Sequence, residues 1–153
     1  KDIYQRPANV FVATFIGRTN MLPGTLTVQD GKCAVRFSDG YTVPIENVQE
    51  QHRREQSIRI SVRPEEFIVS TDATQGVPAK VSDSIFLGLN THYKLTLHDG
   101  TEVETIQESS IDSIIPKGTE VFLQVKAEKI NIFSEDGSVN LLRGVHDDKR
   151  GAE

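Results

Sequence analysis

The sequence predicts an all-β fold. Three observations carry the prediction. Short runs rich in β-branched and aromatic residues are separated by turn residues at frequent intervals. Several runs alternate apolar and polar positions, the period of a half-buried strand. Asp-Gly pairs stand between neighbouring runs, where a tight hairpin needs a residue that tolerates positive φ. At 153 residues the chain can form one domain or two small ones and bury roughly two-thirds of its unfolded surface.

The first element is the exception. Pro7 suits a first helical turn, because its missing N–H would be unpaired there anyway. Ala8, Phe11, Val12, Phe15 and Ile16 then share one helical face, and Gly17 stands where a left-handed cap ends a helix. A helix this short is marginal alone in water. We read residues 1–20 as the exit from a preceding domain, and the chain, which begins on Lys1, as a C-terminal fragment.

Ten strands follow by the same rules, at 25–28, 34–37, 42–45, 57–62 and 67–70, then 79–87, 92–97, 102–106, 120–126 and 130–133. Between 92 and 98, Tyr93, Leu95 and Leu97 face one way and His92, Lys94, Thr96 and His98 the other. In the fourth strand Ile58, Ile60 and Val62 point inward, while Arg59, Ser61 and Arg63 point out.

The two sets read as one motif repeated. The Asp39-Gly40 turn with its flanking strands aligns with Asp99-Gly100, and the segment 60–69 aligns with 123–132. We therefore expect two five-strand repeats, at about 21–75 and 76–137, forming an OB-like domain over 21–142, with a frayed tail at 143–153. Neither half has many large apolar residues, so the halves are expected to share a core or swap a strand.

Composition narrows function by exclusion. A net charge of −5 argues against a nucleic-acid or anionic-membrane surface, which carries a basic excess. Phe37, Phe67, Phe86, Tyr93, Phe122 and Phe133 occupy apolar strand positions and read as core rather than as base-stacking platforms. The single cysteine, Cys33, excludes an internal disulfide framework and reads as a structural thiol of a reducing compartment. Nothing resembles a signal peptide or a membrane span.

Catalytic chemistry is also missing. No Gly-x-x-x-x-Gly-Lys-Ser/Thr is present to cradle nucleotide phosphates. His52, His92, His98 and His146 lack metal-ligand spacing, and Lys94 shares a face with His92 and His98. The adjacent Glu65 and Glu66 point opposite ways on an extended chain and cannot act as an acid–base pair. Arg53 and Arg54 lie in a polar stretch that reads as a solvated loop. No catalytic, cofactor-binding or metal residue is assigned. Arg63 and Glu65 are the residues singled out, for a structural or interdomain role: Arg63 is an outward arginine at a strand end, its backbone held extended by Pro64.

The segment Ile3-Tyr4, Pro7-Ala8-Asn9, Phe11-Val12-Ala13, Phe15-Ile16-Gly17 and Asn20 resembles the junction in ATP-binding subunits of bacterial ABC importers, the branch moving polyamines, maltose-type sugars and ferric iron. Arg63-Pro64-Glu65 resembles a recurrent triplet of that family's accessory domain, the transport-associated OB or TOBE domain. Phe86-Leu87-Gly88, Tyr93 and the Asp99-Gly100 turn resemble its polyamine-type members.

The resemblance implies a regulatory and dimer-supporting domain of an ATP-hydrolysing importer subunit. ATP and Mg²⁺ would be bound by a preceding ATPase domain. The implied partners are that domain, a second subunit and membrane permease subunits, with no nucleic acid. The implied place is cytoplasmic, at the inner membrane, and the solute is read as a polyamine. The alternative is a free-standing module binding an oxyanion or a polyamine. Oxyanion-binding relatives with paired OB-like repeats open on a Ser-Ala-Arg-Asn-type segment, which this chain lacks.

Overall fold

The computed structural model describes residues 19–71, 75–109 and 114–142. The expected helix over 7–16 and the tail 143–153 lie outside the described residues. The first half supplies β1 (Asn20–Gln29), β2 (Lys32–Phe37), β3 (Thr42–Ile45), β4 (Gln56–Val62) and β5 (Phe67–Ser70). The second supplies β6 (Val77–Leu87), β7 (Asn90–Leu97), β8 (Glu102–Glu108), β9 (Glu120–Val125) and β10 (Asn131–Ser134).

Two five-stranded antiparallel sheets result, in the orders β10-β4-β1-β2-β3 and β5-β9-β6-β7-β8. Each takes four strands from one half and a fifth from the other. β5 leaves the first half to pair with β9, Phe67 opposite Val125, and β10 returns to pair with β4, Ile132 opposite Ile60. The exchange is reciprocal, and the two strand orders correspond on adding five to each label.

The two crossovers are built alike. Arg63 and Lys126 are extended, at φ −69°, ψ 150° and φ −77°, ψ 142°, and each precedes a single 3₁₀ turn, Pro64–Glu66 and Ala127–Lys129. Glu66 N–H donates to the Arg63 carbonyl at 3.0 Å, and Lys129 N–H to that of Lys126 at 2.9 Å. The Asp-Gly hairpins also agree: Phe37 N–H donates to Tyr41 at 2.8 Å and Leu97 N–H to Thr101 at 2.8 Å. The two turns meet, Ser38 Oγ donating to Asp99 Oδ2 at 3.1 Å.

One apolar core serves both sheets. It contains Leu22, Leu26, Val35 and Ile60 of the first with Ala79, Leu95, Val121 and Leu123 of the second, and the exchanged strands add Phe67 and Ile132. Fully burying a side chain of this kind is worth about 1.5–3 kcal/mol. Sharing one core lets each half use apolar surface it could not cover alone.

Several details depart from the sequence reading. β1 begins at Asn20 and runs through Pro23 and Gly24. A Cβ at Gly24 would lie 2.7 Å from the Arg36 carbonyl and collide with the Ile60 side chain. Gly24 is there for close approach between strands, not for a turn. Ser61 is buried rather than outward, at 4% exposure, and shares a 2.6 Å hydrogen bond with Thr19. Phe86 is not core: it is 56% exposed, on the part of β6 that runs on past β9.

Candidate interdomain surface

Asn20 opens β1 and fixes the start of that strand against the second sheet. Its side chain is buried and joins the two sheets: Nδ2 donates to the carbonyls of Val62 at 3.1 Å and Glu104 at 2.8 Å, and Oδ1 accepts from Glu104 N–H at 2.8 Å. An amide is the side chain that fits, since it offers donors and an acceptor at one site. The start of β1 is thereby tied to β8, which belongs to the other sheet.

Around that clamp lies a surface cleft of about 340 Å³ whose lining includes Thr19, Met21, Pro64, Lys94, Glu102 and Glu104. Pro64 is buried and its 3₁₀ turn packs against β8. Arg63 is half-buried beside the cleft and is engaged by a partner within the chain. Glu65 is exposed, while its neighbour Glu66 lies 3.9 Å from Lys129 Nζ and links the two crossovers. Thus Arg63 and Glu65 both stand at the mouth of the first crossover, near the start of β1. The sequence reading passed over Asn20 as a clamp and Glu66 as the crossover's ion-pair partner. The signal for the first was a polar residue directly ahead of the apolar pair Met21-Leu22.

Beyond β3, Gln49 ties the chain to residues 140–142. Gln49 Nε2 donates to the carbonyls of Asn140 at 3.0 Å and Leu142 at 3.1 Å, and Gln49 N–H donates to Leu141 at 2.8 Å. Arg53 and Arg54 are occupied locally, donating to the carbonyls of Val48 and Gln51. Burial, and then the nearby Arg54 charge, lower the His52 pKa. His98 reaches Glu120 at 3.8 Å across an exposed surface. Among the described residues no three His, Cys, Asp or Glu side chains gather where they could hold a metal ion. No helix there is long and apolar enough to cross a membrane.

A wider cleft of about 470 Å³ is lined by Val69, Thr91, Tyr93, Gln107 and Ile115 among others. Its polar groups are engaged in holding the fold. Tyr93 Oη accepts from Ile115 N–H at 3.0 Å, Gln107 Nε2 donates to the Phe67 carbonyl at 3.0 Å, and Thr91 and Ser109 share a 2.8 Å bond. Neither cleft sets a nucleophile beside a base. What the arrangement offers is a body whose two sheets are tied together at the start of β1.

Residues 60–133 match the family model described as TOBE domain. The Fe(3+) ions import ATP-binding protein FbpC of Fusobacterium nucleatum is 51% identical over 152 residues, covering 99% of this chain and 40% of that protein. The spermidine/putrescine import ATP-binding protein PotA of Ruegeria pomeroyi is 32% identical over 114 residues, covering 74% and 30%. The chain thus spans less than half the length of these curated relatives. Among solved structures, the cytoplasmic molybdate-binding protein ModG superposes with a TM-score of 0.61 over 75% of this chain and 95% of that one. At 15% identity that likeness is of the fold alone.

Proposed function

Since the chain carries a TOBE domain of the kind found in ATP-binding subunits of ABC importers, we propose that it is the accessory domain of such a subunit, holding two subunits together while their ATPase domains open and close. In this reading residues 1–20 leave the ATPase domain, 21–142 form the accessory domain and 143–153 are its tail. ATP and Mg²⁺ are bound by the preceding domain, and permease subunits are engaged by the assembled protein on the cytoplasmic side of the membrane. None of the described residues forms a phosphate-binding loop, so this chain's own part is mechanical. Arg63 and Glu65, near the start of β1, are read as orienting the barrel against the ATPase domain.

The observation that carries the reading is similarity over 99% of the chain to a relative of which it spans 40%. The same comparison bears on the solute. Identity of 51% to a protein named for Fe(3+) import, against 32% to one named for spermidine and putrescine, favours ferric iron over a polyamine.

In-frame translation of the DNA upstream of the Lys1 codon tests the assignment. A phosphate-binding loop followed by a Leu-Ser-Gly-Gly-Gln-type signature is expected. A start codon directly before Lys1 contradicts it.

A further inference from the structure

We propose that the outer edge of β6 over residues 83–87 is an interaction surface whose occupant is the same strand of a second copy, laid antiparallel about a two-fold axis through Ile85. This rests on the dimer-holding reading above and names the surface that does the holding.

β6 outruns its neighbour. β9 pairs with it only from Val77 to Lys80, and Val81 bonds to Gly118 and Thr119 just beyond. A bulge between Val81 and Asp83 then turns the strand away, Ser82 Oγ donating to the Lys94 carbonyl at 3.0 Å. From Asp83 to Leu87 the strand pairs with β7 on one side. Among the described residues no strand lies along its other side.

The ladder decides which groups face outward. Leu87 and Asn90 flank a two-residue turn, Gly88-Leu89, and so exchange hydrogen bonds with each other. Ser109 N–H donates to the Leu89 carbonyl at 2.8 Å, so odd-numbered residues of β7 face β8 and even-numbered ones face β6. Asp83, Ile85 and Leu87 therefore bond to β7. The N–H and C=O of Ser84 and Phe86 point away from it. A bare edge of this kind is a template for another strand.

The side chains beside it suit an apolar partner. Exposure is 48% at Ile85, 56% at Phe86, 56% at Leu87 and 84% at Leu89. The stretch 84–91, Ser-Ile-Phe-Leu-Gly-Leu-Asn-Thr, carries no charge in a chain of net charge −5. Two copies meeting along this stretch oppose no like charges. About a two-fold through Ile85, Ser84 faces Phe86, Ile85 faces Ile85 and Asp83 faces Leu87. Ser84 and Phe86 of each copy can then exchange both backbone bonds, which self-pairing in this register alone provides.

Asp83 supplies the restraint. Its Oδ1 accepts from Ser84 N–H at 2.9 Å, occupying one of the outward donors in the single chain. Pairing requires that carboxylate to swing aside, so the edge is kept from joining strands at random.

The test uses the 153-residue chain with Cys33→Ser. Ile85→Cys places two thiols on facing residues of a non-hydrogen-bonded pair, about 4.5 Å apart at Cα, within disulfide reach. Mild oxidation is expected to give a covalent dimer at high yield, while Asp39→Cys, exposed at a hairpin turn, gives only collisional cross-linking. Phe86→Pro removes an outward N–H and no ladder bond. By sedimentation equilibrium it is expected to raise the dimer dissociation constant about tenfold or more, with its circular dichroism unchanged, whereas Asp83→Ala lowers that constant. A dimer that ignores Phe86→Pro and cross-links no better than Asp39→Cys overturns the surface but leaves the dimer-holding reading intact. A chain monomeric at every concentration overturns the surface and counts against that reading too. If Phe86 N–H resists hydrogen exchange only in the longer subunit and at monomer concentrations, the edge belongs to a segment of that subunit and the second-copy occupant is wrong.

Discussion

Asn20 does more for the molecule than any other single polar residue near the start of β1. Its amide bridges Val62 in one sheet and Glu104 in the other. Asn20→Ala removes all three side-chain hydrogen bonds between the sheets, and is expected to cost about 1–3 kcal/mol in urea unfolding. Asn20→Asp is expected to cost more, because it sets a carboxylate oxygen against the Val62 and Glu104 carbonyls. Asp136 shows the opposite case, a carboxylate supplied with donors. Ser134 Oγ, Ser138 N–H and Ser138 Oγ all bond to its Oδ1, at 2.7, 3.0 and 2.8 Å. The Ser134 hydroxyl, then the two Ser138 donors, lower its pKa from 3.8 to about 2. The folded state therefore holds that proton less tightly than the unfolded chain. The turn's contribution is complete above pH 3.8 and is lost as pH falls through about 2. A carboxyl titration by NMR should find the midpoint near the lower value; a midpoint near 3.8 would show the three donors are not made in solution.

At the scale of elements, the exchange of β5 and β10 determines how the domain can fold. Residues 19–71 alone would leave β5 without β9 and β4 without β10, and residues 75–142 would suffer the mirror-image loss. Each half expressed alone is expected to be unfolded by circular dichroism, and the two co-expressed to purify together as one species with one unfolding transition. Independent folding of either half would contradict the shared core. The sequence made the strands themselves legible, because alternation such as Tyr93, Leu95, Leu97 says which side of a strand is buried. It does not say which strand lies alongside. For that reason β10 could be placed in the sequence but not in the first sheet. The Asp39-Gly40 and Asp99-Gly100 hairpins were legible because positive φ demands glycine, at 106° and 91° here. The first strand was read as starting at 25, although β1 runs from Asn20 through Pro23 and Gly24. There the glycine answers instead to the Arg36 carbonyl and Ile60. Phe86 misled because an apolar residue in an alternating run looks like core whether or not anything covers it.

For the whole molecule, a domain stitched by strand exchange and by Asn20 behaves as one stiff body. Near Thr19 it presents Pro64 and the Arg63 crossover beside the Asn20 clamp. The free edge of β6 presents an uncharged apolar strand. Under the proposed function, a stiff body with a self-complementary edge would keep two subunits joined while their ATPase domains separate. Of this, the family of the chain was legible in the sequence from its junction motif and the Arg63-Pro64-Glu65 triplet, whereas the edge was not, because a strand's neighbours are set by tertiary pairing. The holding role is tested most directly by sedimentation equilibrium of the full-length subunit without nucleotide, compared with a version ending before Thr19. The account predicts a dimer for the first and a monomer for the second, with ATP binding retained in both. Equal dimerisation of the two would contradict it.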